Sequence, residues 1–176
     1  MRVISVFILT LSCLCQGTES QAQLSLSLLE KTIERIHPVP SITHDSLTAR
    51  LATGDSVLFV LFDTRSQEEY ETSHIRKAIR LDPEISPEDF EKAYAKMIRD
   101  KQLVFYCSVG YRSSDSIQRL LDSALKAKAI ALLNLRGGIF RWYNENNPVV
   151  NSDGITDEIH PYSSAWGFLI KKRKKD

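Results

Sequence analysis

The heptapeptide Cys107-Ser108-Val109-Gly110-Tyr111-Arg112-Ser113 lies between a predicted strand and a predicted helix. Directly before it, residues 103–106 are all apolar and include one β-branched and two aromatic side chains, a composition typical of a short buried strand. From Ser113 onward, apolar residues recur at helical spacing, which predicts a helix with one buried face. That face carries Ile117, Leu120, Leu121, Ala124 and Leu125.

This arrangement favours a reactive thiolate at Cys107. The carboxyl end of a strand is where open α/β sheets bind ligands. The helix that follows offers unpaired N–H groups and a partial positive charge, Gly110 lets the loop curl so that its N–H groups point inward, and Arg112 adds a permanent cation. Because the thiolate is the nucleophile, we expect Cys107 to be catalytic and Arg112 to assist it.

The loop resembles the active-site loop of the rhodanese family of sulfurtransferases, Cys-x-x-Gly-x-Arg-Ser. Two further blocks resemble that family, and the three run in the family's order from about Ser41 to Val150. The first comprises Phe62-Asp63-Thr64-Arg65, Glu69-Tyr70, His74-Ile75 and Ala78-Ile79, and the last comprises Leu135-Arg136-Gly137-Gly138, Trp142 and Pro148-Val149. The chain departs from the family at Ser73, where many members have glycine, and at Arg76-Lys77, where many have Pro-Gly.

Alternating strand and helix patterns independently predict an α/β fold. Strands are expected at 41–43, 57–62, 78–81, 103–106 and 129–135, and helices at 24–37, 45–52, 66–72, 86–98, 113–125 and 139–144. Asp45 or Ser46 is the expected cap of the second helix, and Gly54 its stop. Together with the resemblance, this predicts a rhodanese-like open, mostly parallel sheet flanked by helices on both faces.

Composition limits the function classes. The 176 residues are 43% hydrophobic and 26% charged, as in a globular protein with one ordinary domain. The formal net charge of +1 argues against a dedicated nucleic-acid binder.

The N-terminus predicts export. Arg2 precedes an almost wholly apolar run, Val3 to Cys15, and Ser20-Gln21-Ala22 is a small-x-small cleavage site. We therefore expect residues 1–22 to be a signal peptide and the mature protein to be periplasmic or secreted. The alternative is an uncleaved anchor, for which the run is short against the ~20 residues of a membrane span.

Cleavage would remove Cys13 and Cys15 and leave Cys107 as the single cysteine of the mature chain. An unpaired cysteine in an exported protein suggests a reactive thiol or an intermolecular pair. The four histidines, His37, His44, His74 and His160, show no metal-ligand spacing. No metal and no cofactor are predicted.

The predicted organisation has three parts after the signal peptide. Residues 23–40 form a helix and linker that either packs on the domain or spaces it from a membrane, and residues 41–150 form the rhodanese-like domain. Residues 151–176 form an extension in which 151–154 is a linker and 158–170 carries enough apolar surface to dock on the domain. It ends in the basic run 171–175, predicted to be a solvated tail or, alternatively, a weak contact with an anionic membrane surface.

The resemblance implies a two-step sulfur transfer. Thiosulfate or a persulfide gives its outer sulfur to Cys107, and a thiol, a protein or another nucleophile takes it away. Loop residues expected to bind the donor are Ser108, Val109, Gly110, Tyr111 and Ser113. Residues expected to support the loop are Asp63, Arg65, Glu69 and His74, with Arg65 and Glu69 as an ion pair.

Two other functions compete with sulfur transfer. Related phosphatases and arsenate reductases carry Cys-x5-Arg, whose longer loop holds a tetrahedral oxyanion, whereas only Ser108 to Tyr111 separate Cys107 from Arg112 here. A non-catalytic binding module usually loses the cysteine, which this chain keeps.

Overall fold

The computed structural model describes residues 21–53 and 58–173. Residues 1–20, with most of the predicted signal peptide, and Gly54 lie outside the described residues. No helix of the described part is both long and apolar enough to cross a membrane.

Five parallel strands form the central sheet, in the order β1-β5-β4-β2-β3. The strands are β1 (Ser41–Ile42), β2 (Phe59–Asp63), β3 (Ile79–Arg80), β4 (Gln102–Tyr106) and β5 (Ala131–Leu135). The helices are α1 (21–36), α2 (His44–Ala52), α3 (Gln67–Thr72), α4 (Pro87–Ile98), α5 (Tyr111–Lys126) and α6 (Gly138–Asn144). The predicted α/β sheet is therefore confirmed.

Alternating side chains of the central strands enter two hydrophobic cores, one on each face of the sheet. On one face, Leu61 and Val104 pack with the buried residues of α1, α2 and α6. On the other, Phe62 and Phe105 pack with those of α4 and α5. Burial of β4 on both faces holds its carboxyl end, and hence Cys107, in a fixed position.

The sequence predicted the starts of α3 and α4 correctly, but it misplaced the cap of α2 and the start of α5. Ser66 and Ser86 cap α3 and α4, each accepting the N–H three residues on. For α2 the cap is Thr43, whose hydroxyl accepts the Ser46 N–H, and not Asp45 or Ser46. α5 starts at Tyr111, two residues before the predicted start, which brings its N-terminus closer to Cys107.

The buried face of α5 is narrower than predicted. Ile117, Leu120 and Ala124 are buried, but Leu121 and Leu125 are exposed at 40% and 48%. These two side chains line a shallow groove together with residues 38–40, because α5 meets the sheet along a single stripe.

The chain continues past the sheet into an antiparallel hairpin, β6 (Val149–Asn151) and β7 (Gly154–Thr156). The segment 151–154 is thus a hairpin turn and not the predicted linker. A 3-10 helix, Ser164–Leu169, docks through the buried Leu169, as expected.

The described residues of the basic run correct the prediction of a solvated tail at two positions, and at the first of them the Lys171 N–H donates to Asn144 Oδ1 at 2.9 Å. The Arg173 guanidinium lies 3.6 Å from the Tyr143 ring centroid and donates to the Tyr143 and Asn147 carbonyl oxygens. Lys174 and Lys175 lie outside the described residues, and the membrane-surface contact stays a prediction.

The two departures from the family pattern leave local traces. Lys77 adopts φ +68, in the left-handed region that favours glycine. The buried Ser73 hydroxyl has no hydrogen-bond partner among the described residues. Glycine, which many family members carry at these two positions, would relieve the backbone strain at Lys77 and remove the buried hydroxyl at Ser73.

Candidate active site

Cys107 lies where the sequence predicts it, directly after β4, and its side chain is only 1% exposed. Its Sγ accepts the Gly110 N–H at 3.2 Å. Gly110 makes this turn with φ +105, a conformation that side chains disfavour, and serves as the N-cap of α5. The Gly110 N–H and the N-terminus of α5 both place partial positive charge near Sγ.

The start of α6 is hydrogen-bonded to the loop that carries Cys107. The Ile139 and Phe140 N–H groups donate to the Cys107 and Ser108 carbonyl oxygens at 2.9 and 3.0 Å. Because the carbonyl and N–H of a trans peptide point in opposite directions, this turns the Ser108 and Val109 N–H groups away from α6. The loop thus presents its donors, and not its carbonyls, on the side away from α6.

Arg112 binds Glu69 and Ser108, two partners that the sequence did not indicate. Its Nη1 and Nη2 donate to Glu69 Oε2 and Oε1 at 2.8 and 2.7 Å, and Nη2 also donates to Ser108 Oγ at 2.9 Å. Burial lowers the pKa of Arg112. The hydrogen bonds to Glu69 and the electrostatic interaction with the nearby Cys107 sulfur outweigh that effect, so the pKa of Arg112 is raised. The guanidinium therefore supports the loop through Glu69 as well as contributing charge near Cys107.

Glu69 joins two parts of the structure. Its carboxylate closes the capping box of α3 by accepting the Ser66 N–H at 3.1 Å, and it also accepts the Ser108 hydroxyl at 2.9 Å. Burial raises its pKa, but the hydrogen bonds and charge of Arg112 outweigh that effect and lower the pKa from 4.5 to about 2.

The expected Arg65–Glu69 ion pair is wrong. Arg65 instead pairs with Asp63, with Nη2–Oδ2 at 2.6 Å and both side chains fully buried. The same Nη2 donates to the Ser73 carbonyl at 2.6 Å, so the pair ties the end of β2 to the segment after α3.

Three other predicted site residues, Gly110, Ser113 and His74, do not line the cavity at Cys107. Ser113, expected to bind the donor, is buried and donates to Asn134 Oδ1 at 2.7 Å. Asn134 Nδ2 in turn donates to the Gly110 carbonyl at 3.2 Å, so this pair braces the loop. His74 Nδ1 lies 3.0 Å from the Tyr70 carbonyl oxygen, and its backbone pairs with Val150.

A pocket of about 330 Å³ opens above Cys107. Ser108, Val109, Tyr111 and Arg112 of the predicted site line it. The residues that sequence reasoning missed are Leu29 and Ile33 of α1 and Tyr162 and Trp166 of the C-terminal segment. Only the apolar character of these two segments pointed to a role, and it did not indicate where they dock.

Residues 43–145 match the model of the rhodanese-like domain. The chain belongs to this family. The matched residues lie within the predicted domain, 41–150, and contain Cys107, Arg112 and Glu69. α1 and the 3-10 helix, which complete the pocket, lie outside the match.

Three known proteins illustrate the similarity of this rhodanese-like chain. A sulfurtransferase of Allochromatium vinosum is 31% identical over 116 residues, which cover 66% of this chain and 99% of the relative. A thiosulfate sulfurtransferase of Pseudomonas aeruginosa shares the fold at TM-score 0.55 and 21% identity, over 80% of this chain and 25% of that one. An As-Sb reductase of Leishmania major does so at TM-score 0.52 and 24% identity, over 60% and 77%.

Because Arg112 lowers the pKa of Glu69, we expect the stability of the protein to depend on pH. Because folding lowers the pKa of Glu69 to about 2, the pair stabilises the protein fully above about pH 4.5, and that contribution is lost as the pH falls toward 2. The stabilisation is on the order of 3 kcal/mol. Urea unfolding at several pH values should show that Glu69→Gln is destabilised at pH 7 and approaches wild type near pH 2.

Glu68→Gln is the matched control, since Glu68 is the neighbouring residue on α3 and its side chain is 84% exposed. It should unfold like wild type at every pH. A Glu69→Gln variant as stable as wild type at pH 7 would contradict the role given to the pair.

Proposed function

We propose that this protein is a sulfurtransferase that carries sulfane sulfur as a persulfide on Cys107. The observation that carries the proposal is Cys107, which lines the pocket next to the N-terminus of α5 and whose Sγ accepts the Gly110 N–H at 3.2 Å. Membership of the rhodanese-like family and the similarity to a sulfurtransferase support it.

The reaction has two steps. The Cys107 thiolate attacks the outer sulfur of thiosulfate or of a persulfide, the S–S bond of the donor breaks, and sulfite or a thiolate leaves with that bond's electron pair. A nucleophilic acceptor, such as a small thiol, a protein thiol or cyanide, then attacks the outer sulfur of the Cys107 persulfide and regenerates the thiolate. Loop N–H groups stabilise the anionic sulfur in both steps, as an oxyanion hole does.

The short loop favours this reaction over phosphoester or arsenate chemistry. Four residues separate Cys107 from Arg112, and the terminal nitrogens of Arg112 already donate to Glu69 and Ser108. An oxyanion would have to compete with a buried carboxylate for those donors. The fold shared with the As-Sb reductase does not by itself extend that activity to this chain.

Mass spectrometry tests the proposal. After incubation with thiosulfate or glutathione persulfide, Cys107 should gain one sulfur atom from at least one of them, and cyanide should remove it as thiocyanate. Absence of added sulfur with both donors, or hydrolysis of p-nitrophenyl phosphate in its place, would overturn the assignment.

We also propose that the chain is exported and cleaved before Gln23, because an apolar run precedes Ser20-Gln21-Ala22. Cleavage there would preserve the contact of Gln23 Nε2 with Glu145 Oε1 at 2.6 Å. N-terminal sequencing of protein recovered from the periplasm or medium should begin near Gln23. An intact Met1, or a lipid on Cys13 or Cys15, would show that the prediction is wrong.

A further inference from the structure

Two segments that lie outside the matched domain line the pocket above Cys107. α1 contributes Leu29 and Ile33, and the C-terminal segment contributes Tyr162 and Trp166. A domain of residues 43–145 alone would lack these four side chains. The shape and polarity of the site therefore depend on what the extensions add.

Both extensions are firmly attached. On α1, Leu26 and Ile33 are buried, and Arg141 of α6 donates to Glu30 Oε1 at 2.7 Å and to Ser27 Oγ at 2.8 Å. The 3-10 helix is held by Leu169, whose side chain is buried and whose carbonyl accepts from Asn144 Nδ2 at 2.7 Å. The two segments that carry the lining residues are thus anchored to the rest of the fold.

The side chains that the two extensions add to the pocket are aliphatic or aromatic, and the charge of Arg112 beside them is already compensated by Glu69. Of the described residues that line the pocket, Arg112 alone carries a permanent charge. Glu69 pairs with its terminal nitrogens, and the Tyr162 ring centroid lies 4.7 Å from the guanidinium carbon. A small dianion such as thiosulfate gains little from such walls, whereas an apolar group gains from being removed from water.

We infer that the donor is an organic sulfane-sulfur anion with an apolar substituent, which lies between α1 and the 3-10 helix while its outer sulfur meets Cys107. This inference rests on the proposed sulfur transfer and adds the class of donor. For an organic thiosulfonate, R–SO2–S⁻, the Cys107 thiolate attacks the outer sulfur. The Cys107 persulfide forms, and the sulfinate R–SO2⁻ leaves with the electron pair of the broken S–S bond, so charge and atoms balance.

Alkanethiosulfonates from methyl to pentyl test this, because they keep one charge and one reacting sulfur while only the chain grows. With cyanide as acceptor, kcat/KM for the donor should rise about 2- to 4-fold per methylene, the range from half to full burial of each one. The longer donors should also exceed thiosulfate.

Paired variants assign the effect to the walls. Leu29→Lys should reduce the gain per methylene to less than about 1.5-fold and raise kcat/KM for thiosulfate, because an ammonium then faces the pocket. Leu28→Lys adds the same charge on the neighbouring, 58% exposed residue of α1 and should change neither. Trp166→Ala should also weaken the chain-length dependence, while Phe168→Ala, at an exposed position on the same 3-10 helix, should not.

The outcomes distinguish a failure of this inference from a failure of the proposed sulfur transfer. If Cys107 gains sulfur but kcat/KM does not change with chain length, the apolar donor is wrong and sulfur transfer stands. A chain-length dependence that persists in both Leu29→Lys and Trp166→Ala also overturns the inference. If none of the donors loads sulfur onto Cys107, both proposals fail.

Discussion

Cys107→Ser is expected to abolish sulfur transfer from thiosulfate to cyanide while the domain stays folded. A serine hydroxyl is not ionised near neutral pH and is a far weaker nucleophile than a thiolate, so the first step has no substitute. Cys107 is the one free cysteine of the described chain, and no neighbouring thiol there can replace it. The rate should fall to that of the uncatalysed reaction, whichever donor is used.

The structure also indicates why the fold should survive. Oxygen is smaller than sulfur and can still accept the Gly110 N–H that Sγ accepts at 3.2 Å. Thermal unfolding of wild type and Cys107→Ser should therefore give similar midpoints, and Cys107→Ala should be equally inactive. Turnover near that of wild type in either folded variant would refute the catalytic role of Cys107.

Gly138→Ala should cause a large loss of stability. A Cβ at this position would lie 2.3 Å from the Cys107 carbonyl oxygen and 2.7 Å from the Ser108 carbonyl carbon, both backbone atoms. Gly138 also has φ +56, which adds strain for any side chain. Together these effects should lower the free energy of unfolding by about 3 kcal/mol.

The clash should also impair catalysis, because α6 can relieve it only by moving away from the loop that it holds. We expect kcat/KM for the donor to fall at least about 10-fold, since small displacements at a reacting centre cost large factors in rate. Gly154→Ala is the control, because Gly154 has φ +121 but no atom within 4 Å of a new Cβ. It should lose stability and keep its activity. A Gly138→Ala protein with the stability and the kcat/KM of wild type would refute the argument.

Much of the fold could be predicted because its signals are local. The apolar strand before Cys107 and the helices expected at 66–72 and 86–98 each show in a few neighbouring residues, and the structure has all of them. The cysteine loop was predictable for the same reason, since strand, turn and helix N-terminus are adjacent in the chain. The errors at the cap of α2 and at the start of α5 are shifts of two or three residues.

The partners of the charged residues were not predictable in the same way. Arg65 could reach Glu69 or Asp63 by spacing, and it binds Asp63 because the turn after β2 buries both side chains together. Glu69 is then free to meet Arg112, 43 positions away, because β2 and β4 are neighbours in the sheet and α3 follows one while α5 follows the other. No local pattern distinguishes these pairings.

The amino-acid sequence was enough to predict the α/β class and the position of Cys107 in a loop between a strand and a helix N-terminus, because each depends on residues close together in the chain. The pairing of Arg112 with Glu69, and the position of α1 and the C-terminal segment at the pocket, became visible only in the folded chain. The composition of an apolar segment indicates that it will be buried, but not which surface it will cover. That surface depends on shape and on contacts such as Arg141 with Glu30, 111 positions apart.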